Sequence, residues 1–188
     1  MEITTRDLWT VAHGMGFGAL FMLAFSGAVA ELYRMTAPGA FVPSPRARGL
    51  FKFYLAAMVA MAWAAVFTGA YIVYPWYRAS PPAGANLADF PKALLVSSPH
   101  TSAWHSLGME WKEHVAWLAP ISMTMVAYVF LRYGPALAKL PEVRKVALIF
   151  TLVAFVATGV AGSFGVFLNK YAPVRGGAVI HILPGEKQ

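Results

Sequence analysis

The stretch Leu8–Ala30, LWTVAHGMGFGALFMLAFSGAVA, runs for 23 residues without an Asp, Glu, Lys or Arg and is bounded by Asp7 and Glu31. About 20 helical residues cross the ~30 Å hydrocarbon core of a bilayer, so the stretch is long enough to span one. Three further charge-free stretches follow: Phe53–Tyr77 with 25 residues, Val115–Leu131 with 17 and Val146–Asn169 with 24. The third reaches spanning length when its helix begins near Trp104 and carries its polar first turns through the headgroup zone. Pro120 lies within it and is expected to kink it, a break that neighbouring helices tolerate. The sequence therefore predicts an all-α membrane protein with helices over about 8–30, 53–77, 104–132 and 145–169, arranged as an up-down-up-down four-helix bundle in a single domain over residues 1–188.

Composition agrees with this reading. Of 188 residues, 59% are hydrophobic and 12% charged, against about 25% charged in soluble domains. A soluble monomer and a disordered chain are both excluded on these grounds. The chain has no cysteine, which removes disulfide frameworks, iron–sulfur clusters, covalently attached c-type haem and thiolate zinc sites. The segment before Leu8 is not a basic leader, and the apolar run is too long for a signal core, so the first helix is expected to be retained.

Lys and Arg in short loops set orientation. Arg34, Arg46, Arg48 and Lys52 flank the first loop, and Arg132, Lys139, Arg144 and Lys145 the third, eight of the fifteen basic residues. Six of the eight acids fall elsewhere, on the tails and the second connection. Loops one and three are thus expected in the cytoplasm of a bacterial-type inner membrane, with both termini and a long second loop outside. The net charge of +7 then reflects topology and contact with anionic lipid, not nucleic-acid binding. The first loop, Met35–Arg48, is rich in Pro and Gly and is expected to be irregular. In the second, Asp89–Ser97 is expected to form a short interfacial helix, and Thr101 or Ser102 to cap the third spanning helix. The apolar run Ala178–Leu183 is expected against the outer surface. Trp9, Tyr71, Tyr74, Trp76, Tyr77, Trp104, Trp111 and Trp117 read as an aromatic belt at the outer interface.

On this topology all five histidines, His13, His100, His105, His114 and His181, fall on the outward side. His13 is flanked by apolar helix on both sides, and ionisable groups at membrane depth usually mark function. Gly14, Gly16 and Gly18 beside it leave room for a flat cofactor, or else let two helices pack closely. Gly159, Gly162 and Gly165 of the fourth helix carry the same ambiguity. His114 follows Glu110 by four residues and shares its helical face, which suits an orienting hydrogen bond to an imidazole; it also reads as an interfacial histidine. His105 and His114 are nine residues apart and point to opposite faces. His100 and His181 read as surface residues.

A haem b fits this constellation in kind, with His13 and His114 as axial ligands, Gly16 giving the ring room, and Arg6, Lys112 or Arg175 facing the propionates. Copper is the alternative, held by His13, His114 or His105 with Met15 or Met109. The segment WHSLGMEWKEH, Trp104–His114, gathers most of the chemistry-bearing side chains of the third helix. The layout resembles the four-helix membrane subunits of b-type cytochromes, although here the second and fourth helices carry no histidine. The resemblance implies electron transfer between the quinone pool and an outward-side partner, a periplasmic cytochrome or a larger membrane complex. Glu110 or Glu113 would accept a quinol proton, and Tyr74 would position the headgroup. A non-catalytic membrane anchor or assembly subunit is the rival reading.

Overall fold

The computed structural model describes residues 4–36 and 44–171, and the described residues contain helices and turns but no strand. Among the described residues four helices are long and apolar enough to cross a membrane: Thr5–Arg34, Pro45–Arg78, Pro99–Lys139 and Pro141–Leu168. The chain is thus a multi-pass membrane protein by the length and composition of its helices. A short helix, Pro91–Val96, lies in the connection between the second and third.

Each spanning helix starts before its charge-free stretch, and in the first three a capping residue sets the start. Thr4 and Asp7 form a reciprocal capping box: the Asp7 amide donates to Thr4 Oγ1 at 3.2 Å, and the Thr4 amide donates to Asp7 Oδ2 at 3.0 Å. Two orphan donors of the first turn are satisfied, so the helix starts at Thr5. Ser44 caps the second helix through the Ala47 amide at 3.2 Å, with Pro45 in the first position. That places residues 45–48, expected in an irregular loop, inside a helix. The third helix is capped by Ser98, not by Thr101 or Ser102, and Pro99 follows at the first position, where its missing N–H costs nothing. Thr101 instead donates its hydroxyl to the Leu95 carbonyl at 2.7 Å.

Pro120 acts one turn earlier than itself. Its ring excludes the regular bond to the Ala116 carbonyl, and the helix tightens to a 3₁₀ turn over Val115–Trp117 before resuming at Leu118. Two other departures are wider turns, with π-helical stretches at Ala12–Ala19 in the first helix and Gly69–Val73 in the second.

The helices meet through small residues and rings. Phe25 and Phe155 pack with centroids 4.1 Å apart, and Met22 of the first helix fits over Gly159 of the fourth. Phe51 packs edge-on against Phe130 at 5.0 Å, and Trp63 Nε1 donates to Thr124 Oγ1 at 3.1 Å, joining second and third helices. Phe164 lies over Gly108. The main core includes Phe21, Leu32, Leu55, Met58, Met123 and Val126. At one end, Arg144 donates to the carbonyls of Met35, Leu137 and Ala138 at 3.2–3.3 Å, tying the ends of the first and third helices to the start of the fourth.

Candidate functional site

His13 sits in the π-helical stretch of the first helix, and π-turns recur at functional sites. Its ring turns to the second helix. Nδ1 lies 2.8 Å from the Ala65 carbonyl and 3.3 Å from Thr68 Oγ1. A carbonyl only accepts, so Nδ1 carries the proton and Nε2 keeps its lone pair. Thr68 spends its own proton on the Ala64 carbonyl at 2.6 Å, leaving its oxygen to accept from Nδ1. The ring lies flat on Gly69, where a Cβ would come within 2.7 Å of His13 Cε1. A histidine held this way, with Nδ1–H on a backbone carbonyl, has the orientation of a metal-bound imidazole.

Lys112 approaches from the third helix. Its Nζ would be 3.2 Å from a Cβ at Gly165 of the fourth helix, so it occupies the space that glycine leaves. The ion pairs among the described residues are Arg34–Glu31 and His114–Glu110, and Lys112 is in neither. His13, Thr68 and Gly69 thus meet between the first and second helices, and Lys112 and Gly165 between the third and fourth. A methyl group on Gly14 would meet nothing within 4 Å, and one on Gly16 or Gly18 would meet only carbonyls of its own helix, those of Val11 and His13. Among the described residues no neighbouring helix rests on these three glycines, whereas Gly159 does receive a neighbour's side chain.

The other predicted residues are placed elsewhere. His114 does not converge on His13: its side chain is 69% exposed, and Nδ1 lies 3.1 Å from the Glu110 carbonyl and 3.3 Å from Glu110 Oε2. The expected i, i+4 pairing is present, on a face turned away from the other helices. Met15 is also turned outward, whereas Met109 is buried beside Leu95 and Leu168. His105 Nδ1 is 2.7 Å from the Tyr77 hydroxyl, and His100 is exposed. Among the described residues no group of three His, Asp or Glu side chains is placed to hold a metal ion. Arg175, His181 and the run Ala178–Leu183 lie outside the described residues.

A second cluster joins the end of the second helix to the third. The Tyr74 hydroxyl donates to Glu113, and the Arg78 guanidinium lies 5.2 Å from the centre of the Tyr74 ring. Tyr74 stacks on Tyr77 at 6.4 Å, and Tyr77 reaches His105. Two of the three residues expected at a quinol site, Tyr74 and Glu113, are therefore in contact, while Glu110 faces His114. The aromatic belt divides. Tyr71 and Trp9 are exposed, but Trp111 Nε1 donates to the Ala157 carbonyl at 3.2 Å, and Trp104 stacks on Phe167 at 4.6 Å.

Sequence reasoning did not single out Thr68 and Gly69. The signal was present: a hydroxyl followed by glycine in the apolar run of the second helix. No protein-family profile matches the chain, and neither does any curated protein or solved structure.

Proposed function

We propose that the chain is a membrane electron-transfer subunit that holds a b-type haem, with His13 as an axial ligand. The observation behind this reading is the His13 ring, fixed through Nδ1 to the Ala65 carbonyl with Nε2 left as a lone-pair donor. Lys112, a cation without an ion-pair partner among the described residues, suits a propionate. The open face of Gly16 suits a flat ring. His114 is not part of this donor set, since its ring is turned away. A bound haem b would supply one-electron transfer at this depth.

In this reading the helices form an up-down-up-down bundle in a bacterial-type inner membrane, with termini and second connection outside. The support is the excess of Lys and Arg at the two other connections. Quinol is the proposed electron source, and a periplasmic cytochrome or a larger membrane complex the partner. Glu113, held by the Tyr74 hydroxyl, is the proposed acceptor of a quinol proton.

The test is the absorption spectrum and metal content of the purified protein. The proposal expects a Soret band and one haem b per chain, lost in His13→Ala and kept in His114→Ala. A colourless, metal-free protein would leave the anchor reading. Copper without haem would select the alternative metal.

A further inference from the structure

We propose that Glu110 and His114 of the third helix form half of a site for a divalent transition-metal ion of the zinc class, completed by the same two residues of a second copy of the chain. The site is independent of the haem reading. A carbonyl only accepts, so His114 Nδ1–H donates to the Glu110 carbonyl at 3.1 Å, with Glu110 Oε2 at 3.3 Å. His114 Nε2 keeps its lone pair and has no partner among the described residues. It stands beside a carboxylate one turn away on the same helical face, and both side chains are exposed. An imidazole nitrogen and a carboxylate oxygen are ligands of Zn²⁺, which takes four in a tetrahedron. One chain supplies two of them here, and among the described residues no third His, Asp or Glu joins the pair. Two chains supply all four, and their two carboxylates neutralise the ion.

The helix face around this pair selects a second copy. Leu107, His114, Ile121 and Tyr128 recur at seven-residue intervals, and all four are exposed. Glu110, Thr124 and Leu131 take alternate positions of the same stripe and are exposed as well, which gives the 3.5-residue spacing of a helix-pairing seam. A regular α-helix would carry such a stripe off line by about 20° per heptad, about 60° from Leu107 to Tyr128. The 3₁₀ turn Val115–Trp117 advances by about 120° per residue instead of about 100°, which returns about 60° and keeps the stripe straight. From Leu107 to Tyr128 the stripe rises by roughly 32 Å, the depth of a ~30 Å hydrocarbon core. Two copies inserted the same way are related by a two-fold axis along the membrane normal, so identical positions meet. The two Glu110 carboxylates then face each other and repel, and a cation between them turns that repulsion into attraction. Acyl chains would cover the apolar members of the stripe but would leave Glu110 and His114 without a counter-charge.

The experiment is native mass spectrometry of the detergent-purified full chain, titrated with zinc sulfate or with magnesium chloride. Zinc is expected to convert the monomer to a dimer that holds a bridging ion, reversed by EDTA. Magnesium, a poor partner for imidazole, is expected to leave the monomer. His114→Ala and Glu110→Gln are each expected to weaken the zinc-linked dimer by more than about 100-fold, beyond the worth of a supporting hydrogen bond at a metal site. Glu110→His keeps four ligands across the two chains and is expected to dimerise with zinc at least as tightly as the parent. That variant keeps the test meaningful should the other two fold poorly. Zinc bound without dimer formation, a zinc-linked dimer unchanged in His114→Ala, or an equal response to magnesium would overturn the proposal. So would a dimer that persists in EDTA.

Discussion

Replacing Gly69 by alanine puts a methyl group 2.7 Å from His13 Cε1 and 3.3 Å from both ring nitrogens. Carbon atoms rest at about 3.5–4.0 Å, so the ring must retreat by roughly 1 Å. The Nδ1 contact to the Ala65 carbonyl starts at 2.8 Å, and a retreat of that size takes it out of hydrogen-bonding range. Overpacking costs about 1–3 kcal/mol, and the lost hydrogen bond about 0.5–1.5 kcal/mol. Alanine returns up to about 1 kcal/mol of helix propensity. The net expectation is a destabilisation of about 1–3 kcal/mol. Gly14→Ala is the matched control. Its methyl meets nothing within 4 Å, so the substitution is expected to be neutral or slightly stabilising. Reversible unfolding of both variants in mixed detergent micelles, followed by far-ultraviolet circular dichroism, reads the difference. Equal stability of Gly69→Ala and the parent protein would refute the packing of His13 on the second helix. Destabilisation by Gly14→Ala would show that another surface covers the first helix.

Three other outcomes follow from the packing. Arg144→Gln removes a guanidinium that reaches three carbonyls at helix ends, and it should lower unfolding stability by about 1.5–3 kcal/mol. Trp111→Phe keeps the ring bulk but loses the bond to the Ala157 carbonyl, with an expected loss of about 1 kcal/mol in the same assay. Tyr77→Phe and His105→Ala break one hydrogen bond from its two ends. A double-mutant cycle should therefore give a coupling of about 0.5–1.5 kcal/mol, and additive effects would mean that the pair does not interact.

The spanning helices were legible because four long stretches lack charge, a pattern that lipid imposes directly. Their ends were less so. Thr4, Ser44 and Ser98 begin helices while charged residues such as Arg46 and Arg48 already lie within them, so counting from the nearest charge gave helices that were too short. The π-helical stretches carry no distinctive side-chain pattern beyond glycine. His13 stood out from its apolar neighbours, but its partner is a backbone carbonyl, and every residue has one of those. The spacing of Glu110 and His114 correctly placed them on one face. Which face points inward was not legible, because apolar residues surround the third helix: Leu107 and Leu118 are exposed while Met109 and Met123 are buried. The contact of Tyr74 with Glu113 joins residues 39 apart in sequence, and only the packing of the second helix against the third creates it.

The central claim is that His13 presents Nε2 to a haem iron, and the visible spectrum of the purified protein beside its His13→Ala and His114→Ala variants tests it most directly. The account predicts a Soret band in the parent protein and in His114→Ala, and its loss in His13→Ala with the helical content unchanged. A Soret band that survives His13→Ala at full intensity would contradict it.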